Sequence, residues 1–78
     1  MTTVYVLTRN SRYINGDNVS QTHVYRQKEQ ADDQLKRIMK RYAKDKATTL
    51  AKLQPDHGYV VDTHQTEHFI DVTRTVLH

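Results

Sequence analysis

Five histidines, at positions 23, 57, 64, 68 and 78, stand in a chain of 78 residues that holds no cysteine. Imidazole binds metals, relays protons and changes charge near neutral pH, so these rings are the first place to look for chemistry. His64-x-x-x-His68 has the spacing of a helical zinc pair, in which rings one turn apart converge on one ion. That chemistry needs a helix. The flanking residues instead alternate as strands do, with Gln65-Thr66 as the turn. Residues 64 and 67 then pair, as do 63 and 68, and the two rings fall on opposite faces. Asp62, His64 and Glu67 share a face, a carboxylate–imidazole set that can hold a divalent ion. A cross-strand His64–Glu67 pair on a wet surface explains the same residues without a metal. It is the preferred expectation, and no cofactor is expected.

Cationic residues form the second group. Six Lys or Arg lie between positions 36 and 46 against one Asp. On a helical wheel of about 100° per residue, Lys36, Arg37, Lys40, Arg41 and Lys44 share one side. Such a strip can lie along phosphates, with an affinity that falls as salt rises. The only aromatic residue among them, Tyr42, sits on the apolar side, and the same strip also suits an ordinary solvated helix face.

Nucleophilic catalysis has little to work with. Ser11 and Ser20 lie in or beside a polar hairpin without the strand–turn–helix context of a nucleophile elbow. Two glycines, Gly16 and Gly58, cannot build a phosphate-cradling loop. The chain therefore reads as a non-enzymatic protein. Apolar residues at exposed places offer binding instead: Tyr13 and Ile14 beside a tight turn, and Phe69 among polar neighbours.

The elements that carry these residues follow from local pattern. Thr3 to Arg9 is rich in β-branched and aromatic residues and reads as a strand. Asn15-Gly16-Asp17-Asn18 is a turn signal, and Val19 to Arg26 returns as a second strand. With Asn15-Gly16 as a two-residue loop, Leu7 lies opposite Val24 and Val6 opposite Tyr25; a longer loop shifts that register. From about Lys28 to Leu53 there is neither Gly nor Pro, and helix formers dominate. Ala31, Leu35, Ile38, Met39, Tyr42 and Ala43 form the apolar side, opposite the cationic strip. The pattern loosens at Asp45-Lys46, and Thr48-Thr49 are weak helix formers. A kink there followed by a short helical segment bearing Leu50 and Leu53 is the expectation, although residues 46–54 are ambiguous. Pro55 and Gly58 end the helix. Tyr59 to His64 and Glu67 to Leu77 form a last hairpin, in which Val61 faces Ile70 and Tyr59 faces Val72. The helix is expected on Tyr59, Val61, Ile70 and Val72, while Val60, Asp62, His64, Glu67, Phe69 and Asp71 face outward. The fold class is α+β, ββαββ, with antiparallel hairpins packed on one amphipathic helix.

Size limits the rest. Residues 1–78 make one domain. Eight Val, five Leu, three Ile and one Phe give a thin core that a second copy or a partner surface can complete. The β-rich run Val72 to Leu77, with only Arg74 charged, is an edge on which a second copy can pair. The net charge of +3 is uneven: residues 1–54 are basic, while residues 55–78 carry Arg74 against Asp56, Asp62, Glu67 and Asp71. The absence of cysteine, of a signal-peptide pattern and of a long apolar run points to a cytoplasmic protein without membrane contact.

Val4-Tyr5-Val6-Leu7, Val24-Tyr25 leading to a helix with Ala31, Tyr59-Val60-Val61-Asp62, and Phe69-Ile70-Asp71-Val72 together give a layout. It resembles that of small accessory proteins encoded by phages and prophages of Gram-positive bacteria, a group that includes anti-CRISPR proteins. The resemblance covers most of the chain as layout, without a diagnostic motif. Gln27 stands where similar proteins often carry a Ser or Thr helix cap. What it implies is life in an infected bacterial cytoplasm and inhibition of a host protein, such as a nucleic-acid-binding CRISPR effector nuclease. The expected contact residues are Lys36, Arg37, Lys40, Arg41, Lys44, Asp62, His64, Glu67, Phe69, Asp71 and Tyr13. The alternative is direct DNA or RNA binding through the cationic helix face; a metal protein or enzyme ranks last.

Overall fold

The computed structural model describes residues 1–77. Strands β1 (Thr2–Arg12) and β2 (Asn18–Tyr25) precede helix α1 (Lys28–Lys44), and strands β3 (Thr48–Gln54), β4 (His57–Asp62) and β5 (Glu67–Leu77) follow. All pairings are antiparallel, in one five-stranded sheet of order β2-β1-β5-β4-β3. The class is α+β, as expected, with one strand more than the ββαββ reading.

Helix α1 forms where the sequence placed it. Ala31, Leu35 and Met39, at successive i, i+4 positions, are buried, and Ile38 and Tyr42 pack beside them. Ala43, expected on that side, is exposed instead. Gln27 makes no side-chain cap, consistent with its poor capping chemistry. Arg41 and Lys44 in the last turn suit the negative end of the helix dipole.

The chain after the helix departs from expectation. Asp45 Oδ1 accepts the Ala47 N–H at 2.9 Å and its carbonyl accepts the Thr48 N–H at 3.1 Å, so the chain turns sharply. Residues 48–54 are then a strand and not a second helical segment: the β-branched Thr48-Thr49 pair starts β3. Gln54 pairs with His57 across Pro55-Asp56, and Asp56 takes the left-handed φ of 62° that this turn requires. Leu50 and Leu53, expected on a helix, sit on this edge strand, 39% and 52% exposed.

Both hairpin registers also differ from the two-residue-turn expectation. The first loop spans Tyr13 to Asp17, closed by Tyr13 N–H to Asp17 O at 2.9 Å, with Gly16 at φ 93°. Val6 therefore lies opposite Val24, and Leu7 opposite His23. In the last hairpin, the Asp62 carboxylate accepts the N–H groups of His64 and Thr66 at 2.9 and 3.0 Å, holding a longer loop. Val61 pairs with Glu67 and Tyr59 with Phe69, not with Ile70 and Val72. An odd shift in register reverses which residues share a face. Tyr59 and Val61 leave the helix side, and Gly58 and Val60 replace them.

Rows across the sheet define two faces. Toward the helix run Leu53–Gly58–Ile70–Arg9–Gln21 and Ala51–Val60–His68–Ser11–Val19, with Leu7 beside Val72. Leu7, Val60 and Ile70 are fully buried there against Leu35 and Met39. Gly58 is required by this approach: a Cβ on it would stand 2.5 Å from Met39 Sδ. The opposite face carries Leu50–Val61–Glu67–Arg12–Asn18, Lys52–Tyr59–Phe69–Asn10–Ser20 and Gln54–His57–Asp71–Thr8–Thr22. No helix covers it among the described residues. Nor is any described helix long and apolar enough to cross a membrane.

Candidate functional site on the uncovered sheet face

The central strands β4 and β5 bring Tyr59 and Phe69 side by side on the uncovered face. Their ring centroids lie 5.2 Å apart at an interplanar angle of 50°, the tilted geometry that aromatic quadrupoles favour. Glu67 and Asp71 flank Phe69 along β5 at i±2 positions, so carboxylates bracket the aromatic pair. The Tyr59 hydroxyl donates to Glu67 Oε2 at 3.3 Å. Desolvation, the Glu67 charge and this hydrogen bond together raise the Tyr59 phenol above its ordinary pKa. His57 Nδ1 bonds the Asp71 carboxylate across the strands.

The β1–β2 loop extends this surface. A cleft of about 410 Å³ lies between Tyr13, Ile14 and Gly16 of the loop and Tyr59, Val61, Gln65 and Glu67 of the last hairpin, with Arg12 at its side. Tyr13 is 41% and Ile14 75% exposed, so the loop presents apolar surface beside the carboxylates. Aromatic rings, aliphatic groups and the Glu67 and Asp71 carboxylates share this surface with two cations, Arg12 opposite Glu67 and Lys52 opposite Tyr59. It therefore offers local seats for a cationic side chain and not a uniformly anionic field.

Of the residues expected to make contact, Tyr13, Glu67, Phe69 and Asp71 are brought together here. Asp62 and His64 are not. Asp62 is turned to the helix side, where it holds the β4–β5 loop, and His64 is exposed within that loop. The expected His64–Glu67 pair does not form, since Glu67 lies opposite Val61. The sequence does not single out Tyr59, because the expected register puts it under the helix, or His57, because residues 54–58 read as the turn that ends the helix and not as the start of β4. Among the described residues no three His, Asp or Glu side chains converge as metal ligands do.

Lys36, Arg37, Lys40, Arg41 and Lys44 are all exposed on the far side of α1, as the wheel required. None makes an ion pair among the described residues. They form rows one helical turn apart, about 5–6 Å, on the side of the molecule opposite Tyr59 and Phe69. Val72 to Leu77, expected as a free edge, pairs with β1 along its whole length, while β4 pairing stops at Asp71. Only one flank of residues 73–77 is therefore open.

A polar network lies at the end of α1. Ser11 Oγ is 2.8 Å from His68 Nδ1, His68 Nε2 is 3.4 Å from Asp62 Oδ2, and Tyr42 stacks on the His68 ring at 5.1 Å. Arg9 donates to the Tyr42 hydroxyl at 3.2 Å. Burial works to raise the Asp62 pKa, but the Thr66 N–H, His68 and the His64 N–H outweigh it and hold the carboxyl below its ordinary value. The order Ser–His–Asp resembles a hydrolytic relay, yet Ser11 sits in a regular strand paired with both Val19 and His68. Main-chain N–H groups there are engaged in the sheet, so no pair is free to stabilise an oxyanion. The network pins the helix end and the β4–β5 loop to β1.

The chain matches no protein-family model, no curated protein and no solved structure.

Proposed function

We propose that the chain is a non-enzymatic binding protein whose uncovered sheet face receives an extended, cationic segment of another protein. One observation carries this reading: Tyr59, Phe69, Glu67 and Asp71 occupy neighbouring positions on a face that no helix covers among the described residues. A guanidinium can stack on the rings while a carboxylate accepts its hydrogen bonds. One such seat contributes about 1–2 kcal/mol at an exposed site. Useful affinity therefore needs several seats, and the mixed polar and apolar cleft beside Tyr13 and Ile14 supplies a further one. The narrower form of the proposal is a phage- or prophage-type inhibitor of a host nuclease, whose phosphate-binding groove would take these carboxylates in place of nucleic acid.

Binding to an immobilised arginine-rich peptide tests the general form. Glu67→Lys and Phe69→Ala should each weaken capture by about five- to thirty-fold with unchanged circular dichroism; equal capture by all three proteins refutes it. Competition between the chain and DNA for a purified CRISPR effector tests the narrower form.

A second reading has its own support. Five exposed cations on α1, without ion-pair partners among the described residues, form a strip that can contact phosphates, which makes direct DNA or RNA binding the alternative. It requires a gel shift that weakens steeply with salt and vanishes in Lys40→Glu/Arg41→Glu. A shift at low salt that this double variant leaves intact counts against it.

A further inference from the structure

We infer that the free edge of β2 is a self-association surface, on which a second copy adds its own β2 antiparallel across a two-fold axis at Thr22. The two edges of the sheet are built differently. At β3, a register irregularity between Thr48 and Leu50 disturbs the strand, Lys52 sits within it, and Pro55 follows it. Bulges, lysine and proline at an edge are devices that keep foreign strands away. The β2 edge has none of them. Its eight residues, Asn18–Tyr25, pair with β1 in unbroken register and include no Lys, Arg, Asp, Glu or Pro. Seven of the eight are exposed, with Val19 at 49% and Val24 at 61%. Half of the main-chain N–H and C=O groups of an edge strand point away from the sheet and seek partners.

The strand suits a copy of itself. A two-fold axis perpendicular to the sheet pairs residues of like face, and placing it at Thr22 engages the whole strand. On the helix side, Val19 then meets Tyr25 of the second copy, and Gln21 meets His23. On the uncovered face, Ser20 meets Val24 and Thr22 meets itself. No like-charged carboxylate or ammonium pair is created by the symmetry, and each exposed valine gains a neighbour. Both helices lie on the same side of the resulting ten-stranded sheet, and the two aromatic–carboxylate faces lie on the other. The interface is small, so association is expected in the micromolar range and not tighter. This inference stands independently of the binding role proposed for Tyr59 and Phe69.

Sedimentation equilibrium of the full chain should show reversible conversion from 9.2 kDa toward twice that mass as concentration rises. Thr22→Lys sets two ammonium groups against each other on the axis and should weaken dimerisation at least tenfold, with circular dichroism confirming the fold. Because the chain has no cysteine, Thr22→Cys gives a clean reporter. Mild oxidation should link it as a dimer, while Leu50→Cys on the β3 edge stays unlinked. Should Thr22→Lys fail to fold, amide exchange of the unaltered chain reads the same surface: outward β2 amides should slow with concentration. A monomer at every concentration up to about 0.5 mM, or a dimer indifferent to Thr22→Lys but linked through Leu50→Cys, overturns the inference.

Discussion

The two faces of one sheet are built from the same strands yet differ sharply in what covers them. On the covered face, Leu7, Val60 and Ile70 lie against Leu35 and Met39 and have left water entirely. On the uncovered face, Tyr59, Phe69, Glu67 and Asp71 stay partly exposed. A single helix of 17 residues cannot cover five strands on both sides, so nearly all the strongly apolar burial is concentrated on one. The covered face therefore sets stability, and the uncovered face is the one proposed for recognition. Val4 shows that the division is not absolute: alternation puts it on the uncovered face, and it is buried to 6% exposure.

The sharpest way to break this contrast is truncation on each side. Leu7→Ala should cost about 2–4 kcal/mol of stability, because it removes a fully buried side chain and leaves a cavity. Phe69→Ala should cost about 1–2 kcal/mol by the same urea titration, since its ring is only partly buried. Equal losses at the two positions would mean that the faces are not energetically distinct.

Gly58→Ala probes how closely the covered face approaches the helix. The added methyl meets Met39 Sδ at 2.5 Å, Met39 Cγ at 3.1 Å and Leu35 Cδ1 at 3.3 Å. Met39 can shift in part, so the expected loss is about 1–3 kcal/mol in urea titration. A neutral substitution would show that the helix sits further from β4.

Acid should act on the covered side through Asp62. Its folded-state pKa is depressed, so the stability it contributes is fully present above its unfolded value, about 3.9. That contribution is lost as pH falls through the lower folded value. Asp62→Ala should destabilise the chain by about 1–2 kcal/mol near neutral pH, by leaving the His64 and Thr66 N–H groups without their acceptor. It should also flatten the acid limb of a thermal-melt series. An unchanged acid limb would place the proton uptake elsewhere.

The same contrast explains what could be read from the residues alone. Helix α1 was legible because its buried positions, 31, 35 and 39, repeat locally and opposite an unbroken cationic strip. The registers were not. They depend on how many residues each loop consumes, and in the last loop that number is fixed by one Asp62 side chain accepting two main-chain N–H groups. Because a strand repeats every two residues, that one detail moved Tyr59 from the presumed core to the uncovered surface. Glu67, Phe69 and Asp71 survived the error, since residues on one strand keep their common face whatever its partner does. Strand β3 was hidden by Ala, Lys, Leu and Gln, which favour helices; only Thr48-Thr49 and Pro55-Asp56 signalled otherwise.

The most direct test of the uncovered face as the recognition surface is an amide and side-chain NMR titration with an arginine-rich peptide at physiological salt. Shifts should concentrate at Tyr59, Phe69, Glu67, Asp71 and Tyr13, leaving Lys36 to Lys44 unmoved. Shifts confined to the far side of α1, or spread evenly over both surfaces, would contradict the account.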